Sequence, residues 1–155
     1  MDYNYYMSKA LEQAKLAYNE DEVPIGCVIA YNNKIIGKGY NKRNGGKNSL
    51  FHAEIEAINQ ACKVINDWRL EECILFVTIE PCPMCAGAIV QARIKEVVFG
   101  ARNKKAGCGG SVLNILDCGG LNHRVKITEG VMGEKCGGLM SDFFKKRREK
   151  EILRV

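Results

Sequence analysis

Cys73-Ile74-Leu75-Phe76-Val77-Thr78-Ile79-Glu80-Pro81-Cys82-Pro83-Met84-Cys85 decides the fold. Its first seven residues are mostly β-branched or aromatic and show no polar alternation, the mark of a strand buried on both faces. Two prolines follow. They end a strand but are tolerated at the first turn of a helix. Residues 81–92 are therefore expected as a helix and residues 96–100 as the next buried strand. Strand, helix and strand in that order imply a sheet with helices on both faces and parallel later strands.

Outward from this unit, Met7, Ala10, Leu11, Ala14 and Tyr18 recur at helical spacing, so residues 3–19 read as an amphipathic helix. Residues 25–31 and 34–40 are β-rich on either side of Asn32-Asn33, a hairpin signal. Residues 41–49 form a polar, Gly-containing loop. Residues 52–64 read as a helix with one face made of Glu54, Ile58, Ala61, Cys62 and Ile65. A basic, Gly-rich loop at 102–110 and a strand at 124–128 follow. Cys136, Leu139, Met140, Phe143 and Phe144 then mark a final helix. Ligands of such sheets sit at the C-terminal ends of the strands, where helices begin.

The chain has 155 residues, 46% apolar and 26% charged. That is one ordinary domain, 1–155, with enough length for a core and too little polarity for disorder. No apolar run approaches membrane length, and no basic start with an apolar segment announces a signal peptide. The eight cysteines therefore point to a reducing cytoplasm, where thiols serve metals or burial rather than disulfides. The net charge is +5, and all of the excess lies beyond residue 60. It gathers at Arg102, Lys104 and Lys105 and at Lys145, Lys146, Arg147 and Arg148. Each cluster is either a solvated face or a contact with phosphates. The second runs all round its helix end (145–155), so no single face can bury it.

The chemistry concentrates at two helix starts. Cys82 and Cys85 are three apart, on one helical face, and the helix dipole favours the thiolate that binds zinc. His52, at the other helix start, could supply an imidazole. Two thiolates and one imidazole suit Zn²⁺. Three protein ligands with a free fourth position is the pattern of a catalytic zinc, whereas a structural one takes four. A Cys-x-x-Cys alone also fits a redox pair, but a redox pair needs no His-x-Glu partner. Glu54 heads an apolar stripe. There it is either a first-turn acid favoured by the dipole or a buried carboxylate that passes protons.

His52-Ala53-Glu54 with Pro81-Cys82-Pro83-Met84-Cys85 resembles the signature of the zinc nucleobase deaminases. Val23-Pro24-Ile25-Gly26, Gly39-Tyr40-Asn41, Val97-Val98-Phe99-Gly100-Ala101-Arg102, Asn122-His123-Arg124 and Ser141-Asp142-Phe143-Phe144 extend the likeness to the bacterial tRNA-specific adenosine deaminases over nearly the whole chain. The resemblance implies a three-layer α/β/α cytidine-deaminase-like sandwich with a mixed five-stranded sheet. It implies a cytoplasmic homodimer that deaminates the wobble adenosine of an arginine tRNA to inosine. His52, Cys82 and Cys85 would hold one Zn²⁺ per subunit, a zinc-activated water would attack the base, and Glu54 would shuttle protons. Asn41 would bond the flipped nucleoside, or is simply a turn residue. Ile25 and Ala53 would wall its pocket, or merely pack. Arg102, Asn103 and Lys104 would border the anticodon stem-loop, with Asn103 standing where the family often has an acid. Phe144 would lie beside RNA or in the core, and Lys145, Arg147 and Arg148 would meet phosphates. His123 is expected to be structural, near the rim of the site. Two rivals remain: a guanine or cytosine deaminase of the same superfamily, which needs neither basic cluster, and a zinc-stapled RNA-binding module, which needs a fourth ligand.

Overall fold

A computed structural model describes residues 1–154; Val155, the last residue of the expected basic end, lies outside the described residues. Five strands form one sheet in the order β2-β1-β3-β4-β5. In chain order the elements are α1 (Tyr3–Asn19), β1 (Gly26–Tyr31), β2 (Lys34–Tyr40), α2 (Arg43–Gly46), α3 (Ala53–Ile65), β3 (Ile74–Ile79), α4 (Pro83–Gln91), β4 (Glu96–Ala101), β5 (Lys126–Glu129) and α5 (Gly133–Leu153). β3, β4 and β5 run parallel, as expected. β1 is antiparallel to β2 and also to β3, so the antiparallel part reaches one strand further than the hairpin.

The central strands alternate between two cores. Cys27, Ile29, Leu75, Val77, Val97 and Phe99 face α3 and α4. Val28, Ala30, Phe76 and Val98 face α1 and α5. Burial on both sides explains why these strands read as unbroken apolar runs. The hairpin turns at Asn32 and Asn33, both left-handed with φ of 48° and 61°, as a two-residue turn of this twist requires.

Three sequence expectations need correction. The loop at 41–49 contains the short helix α2, because the buried Glu22 carboxylate accepts from the amides of Asn44 (3.1 Å) and Gly45 (2.7 Å). The buried face of α3 is Ala53, Glu54, Ala57 and Ala61, while Ile58, Cys62 and Ile65 are only partly covered. The small side chains win the central line because α3 lies so close to β2 that a Cβ at Gly39 would strike the Ala53 carbonyl oxygen. Finally, α4 starts at Pro83, with Cys82 as its N-cap residue.

Candidate active site

The starts of β1 and the ends of β2, β3 and β4 meet at one edge of the sheet. The Asn41 amide donates to the Ile25 carbonyl (3.2 Å), and the Gly26 amide to Thr78 Oγ1 (3.2 Å). Onto this edge fall the N-termini of α3 and α4. No side chain of His52 or Cys82 caps its own helix. At α3 the capping comes from Asn41, whose Oδ1 accepts from the Ala53 amide at 2.9 Å. Freed from capping, His52 and Cys82 turn toward each other.

His52 Nδ1 lies 3.6 Å from Cys82 Sγ and 3.5 Å from Cys85 Sγ, and the three donor atoms all fall within 4.8 Å of one another. A tetrahedral zinc about 2.3 Å from sulfur and about 2.0–2.1 Å from nitrogen sets the two about 3.5–3.6 Å apart. The donor set and its spacing therefore fit Zn²⁺. It is the only metal-capable cluster of histidine, cysteine and carboxylate groups among the described residues, and it brings no fourth protein ligand.

Electrostatics divide the trio. The neighbouring Cys85 thiol, opposed by burial and helped by His52, holds Cys82 down at about 4. The same contact and burial push Cys85 well above its usual value. The bond to Cys82 raises His52 against its own burial, and the Arg43 charge on α2 opposes that rise. Glu54 is 3% exposed, and burial pushes its carboxyl up to about 7. Its own backbone N–H and His52 pull it down, while the Cys82 thiolate pushes it further up. A carboxyl that titrates near neutrality in a cleft can both take and return a proton.

At the same end of the sheet a groove of about 520 Å³ opens among Val23, Ile25, Ile79, Ala101, Asn103 and Phe144, none of them a member of the trio. Arg102, Lys104 and Lys105 also line it. A second depression of about 430 Å³ continues past Lys105, Met140 and Phe144 to Arg148. So Ile25, Arg102, Asn103, Lys104, Phe144 and Arg148 gather on one continuous surface with an apolar floor and a basic rim. Phe144 is 37% exposed and belongs to this surface, whereas Phe143 is buried against Tyr18.

The structure does not bring Lys145 and Arg147 to the groove. Lys145 projects into solvent, and the Arg147 guanidinium covers the Phe143 ring at 5.1 Å. Lys146 is tied to Asp142 at 3.5 Å and lies over the Tyr18 ring. Arg102 lines the groove but is held by the Glu129 carboxylate at 2.8 Å. Asn103 folds back, its Oδ1 accepting from the amides of Lys105 (3.3 Å) and Ala106 (3.1 Å). His123 is structural but not at the rim: its Nε2 meets the Ile94 carbonyl oxygen (2.8 Å), before β4 begins and so at the opposite sheet edge.

Sequence reading missed Arg43 and Glu80. Arg43 lies in a segment read as plain loop and carries no pattern that points to the site. Glu80 is 2% exposed at the end of β3. Burial pushes its carboxyl up, but donors on Ser111, Asn103 and Gly109 outweigh burial and hold it below the usual range. An acid placed directly after a strand that is apolar but for Thr78 was the available signal.

The MafB19-like deaminase family matches residues 1–148. A tRNA-specific adenosine deaminase of Bacillus subtilis (strain 168) is 46% identical over 146 residues, covering 94% of this chain and 91% of the relative. The chain belongs to the tRNA-specific adenosine deaminase family. A second such deaminase, from Rickettsia bellii (strain RML369-C), is 43% identical and is covered in full, over 92% of this chain. The fold agrees with that membership. A structure from work on A-to-I editing by tRNA:A34 deaminases at the wobble position of transfer RNA superposes with a TM-score of 0.84. It shares 32% identity and covers 87% of this chain and 98% of the other. This is the cytidine-deaminase-like α/β architecture with its mixed five-stranded sheet. A guanine deaminase from Bacillus subtilis shares 38% identity at a TM-score of 0.62, over 66% of each chain.

Proposed function

We propose that this protein is a zinc-dependent enzyme that deaminates the wobble adenosine of an arginine tRNA to inosine, releasing ammonia. The observation that carries the reading is a buried carboxylate and three metal-capable donors at the same end of the sheet as a groove with apolar walls and basic residues. His52, Cys82 and Cys85 would hold Zn²⁺, which when bound supplies the Lewis acidity that makes water nucleophilic near neutral pH.

Glu54 accepts the proton of the attacking water. It delivers that proton to the ring nitrogen next to C6, then takes the remaining proton from the hydroxyl now on C6 and passes it to the departing amino group. Water adds and ammonia leaves, so the atoms balance with no further reagent. Asn41 has already committed Oδ1 to the Ala53 amide, which leaves its Nδ2 as the donor toward the flipped nucleoside. Ile25 supplies apolar wall beside the base, and Ala53, buried at the start of α3, backs the site from within. Lys104, Lys105 and Arg148 meet backbone phosphates on either side of it, and Phe144 offers a ring for a neighbouring base to stack on.

A homodimer in the cytoplasm goes with this reading. Leu50, Phe51, Val112 and Leu113 stay exposed and would be covered by a second copy. No described helix is long and apolar enough to cross a membrane. A guanine or cytosine deaminase is the second reading, favoured by the guanine deaminase likeness over 66% of the chain. Incubating the protein with total tRNA and sequencing for A-to-G changes separates the two. Change confined to one anticodon's wobble position supports the proposal, and unchanged tRNA overturns it.

A further inference from the structure

Glu80 is the most heavily bonded side chain beside the site, and the reaction gives it no task. Its Oε1 accepts from the Asn103 amide (3.1 Å) and the Ser111 hydroxyl. Its Oε2 accepts from the amides of Gly109 (2.9 Å) and Ser111 (3.0 Å). The next residue joins in, because the Pro81 carbonyl accepts from the Cys108 amide at 2.8 Å. One buried carboxylate thus gathers a loop that spans residues 103–111 onto the turn that carries Cys82. The loop is shaped for this contact. A Cβ at Gly107 would strike both the Asn103 carbonyl oxygen and the Glu80 carboxyl carbon. Asn103 then closes its own turn through Oδ1, so Lys104 and Lys105 project at the groove.

We propose that Glu80 is a positioning residue that registers the basic lip at residues 103–105 against the Cys82 turn, and so sets the distance between the phosphate-meeting charges and the reacting base. This rests on the RNA substrate proposed above. Glu80 itself touches no substrate. The charge-assisted hydrogen bond from the Asn103 amide holds the lip, and those from the Gly109 and Ser111 amides and the Ser111 hydroxyl hold the rest of the loop, more firmly than solvent-facing loop contacts would.

The test uses zinc-loaded Glu80→Gln. A glutamine has one acceptor oxygen and one donor nitrogen. With its oxygen in the Oε2 position it keeps the amides of Gly109 and Ser111, and the Ser111 hydroxyl can turn to accept. The Asn103 amide then faces a donor and is orphaned, so the lip is released while the rest of the loop stays. KM for an anticodon stem-loop should rise about tenfold, with kcat within about threefold and zinc content unchanged. Amide hydrogen exchange should quicken at Asn103 and stay slow at Gly109 and Ser111. Gly107→Ala pushes on the same two groups with Glu80 intact and should give the same rise in KM. Loss of zinc, or a fall in kcat as large as the rise in KM in both variants, overturns the proposal and makes Glu80 a support of the metal turn. Wild-type KM with unchanged Asn103 exchange overturns it too. If the wild-type protein deaminates no RNA, the substrate reading falls by itself, and Asn103 exchange still decides whether Glu80 holds the lip.

Discussion

Glu54 and Glu80 are both buried carboxylates, and their surroundings give them opposite characters. Glu80 meets four donors and stays ionised, while burial pushes Glu54 up to about 7, where it can exchange a proton. The contrast supports the proposed role of Glu54 as the group that exchanges protons. Glu54→Ala should keep its zinc, still bind tRNA and lose about 10²–10⁴-fold in kcat, the usual cost of losing a positioned acid/base. Turnover within about tenfold of wild type, measured as ammonia release, would remove Glu54 from the mechanism. His52→Ala and Cys85→Ala should each lose zinc and, with it, part of the folding free energy. Metal analysis after dialysis checks this, and a full complement of zinc in Cys85→Ala would break the three-donor assignment. The residues of the metal cluster were legible because ligands at helix starts leave a spacing in the chain. Arg43 carries no such spacing, and the loop that Glu80 binds, residues 103–111, follows a path no local pattern encodes.

At the scale of elements, the site depends on how closely α3 and α1 sit on the sheet. Gly39 lets α3 approach β2, and an added Cβ would also crowd Glu56 Cβ at 2.8 Å and the Ala57 amide nitrogen at 3.0 Å. Gly39→Ala should lower stability by about 1–3 kcal/mol, the range for overpacking, visible as a lower Tm. Because α3 carries His52 and Glu54, zinc retention should weaken with it. On the other face, the Tyr3 hydroxyl donates to Glu96 at 2.7 Å and ties α1 to β4. Burial first, then this bond, raises Tyr3 from 10.0 to about 12. Between those values the folded chain holds a proton that the unfolded chain has lost, so stability falls as pH rises. Denaturant titrations over that window should show a shallower pH slope for Tyr3→Phe than for wild type; parallel slopes would contradict the tie. Elements with a strong period, α1 and the central strands, were readable in advance. The true face of α3 was not, because alanines that permit close approach carry little hydrophobic signal. The helix α2 was not either, since four residues held by a distant glutamate make no period.

Across the whole molecule, the net charge of +5 matters through its placement. The cations that line the groove come from two remote stretches, Arg102, Lys104 and Lys105 after β4 and Arg148 on α5. Only the fold joins them, so the sequence showed two basic clusters but not which members share a surface. Replacing Lys105 and Arg148 by alanine should flatten the slope of log K against log salt for tRNA by about 1.4–1.8, two phosphate contacts' worth. Lys146→Ala should leave the slope unchanged, because that ammonium is already paired with Asp142.

The central claim is that this groove presents RNA, not a free base, to Glu54 and the metal-holding trio. The most direct measurement is ammonia release by the zinc-loaded protein from four substrates side by side: an anticodon stem-loop with adenosine at the wobble position, the same stem-loop with guanosine there, free guanine and free cytosine. The account predicts release from the first alone, with inosine recovered at the wobble position. Release from guanine or cytosine with none from the adenosine stem-loop would contradict it.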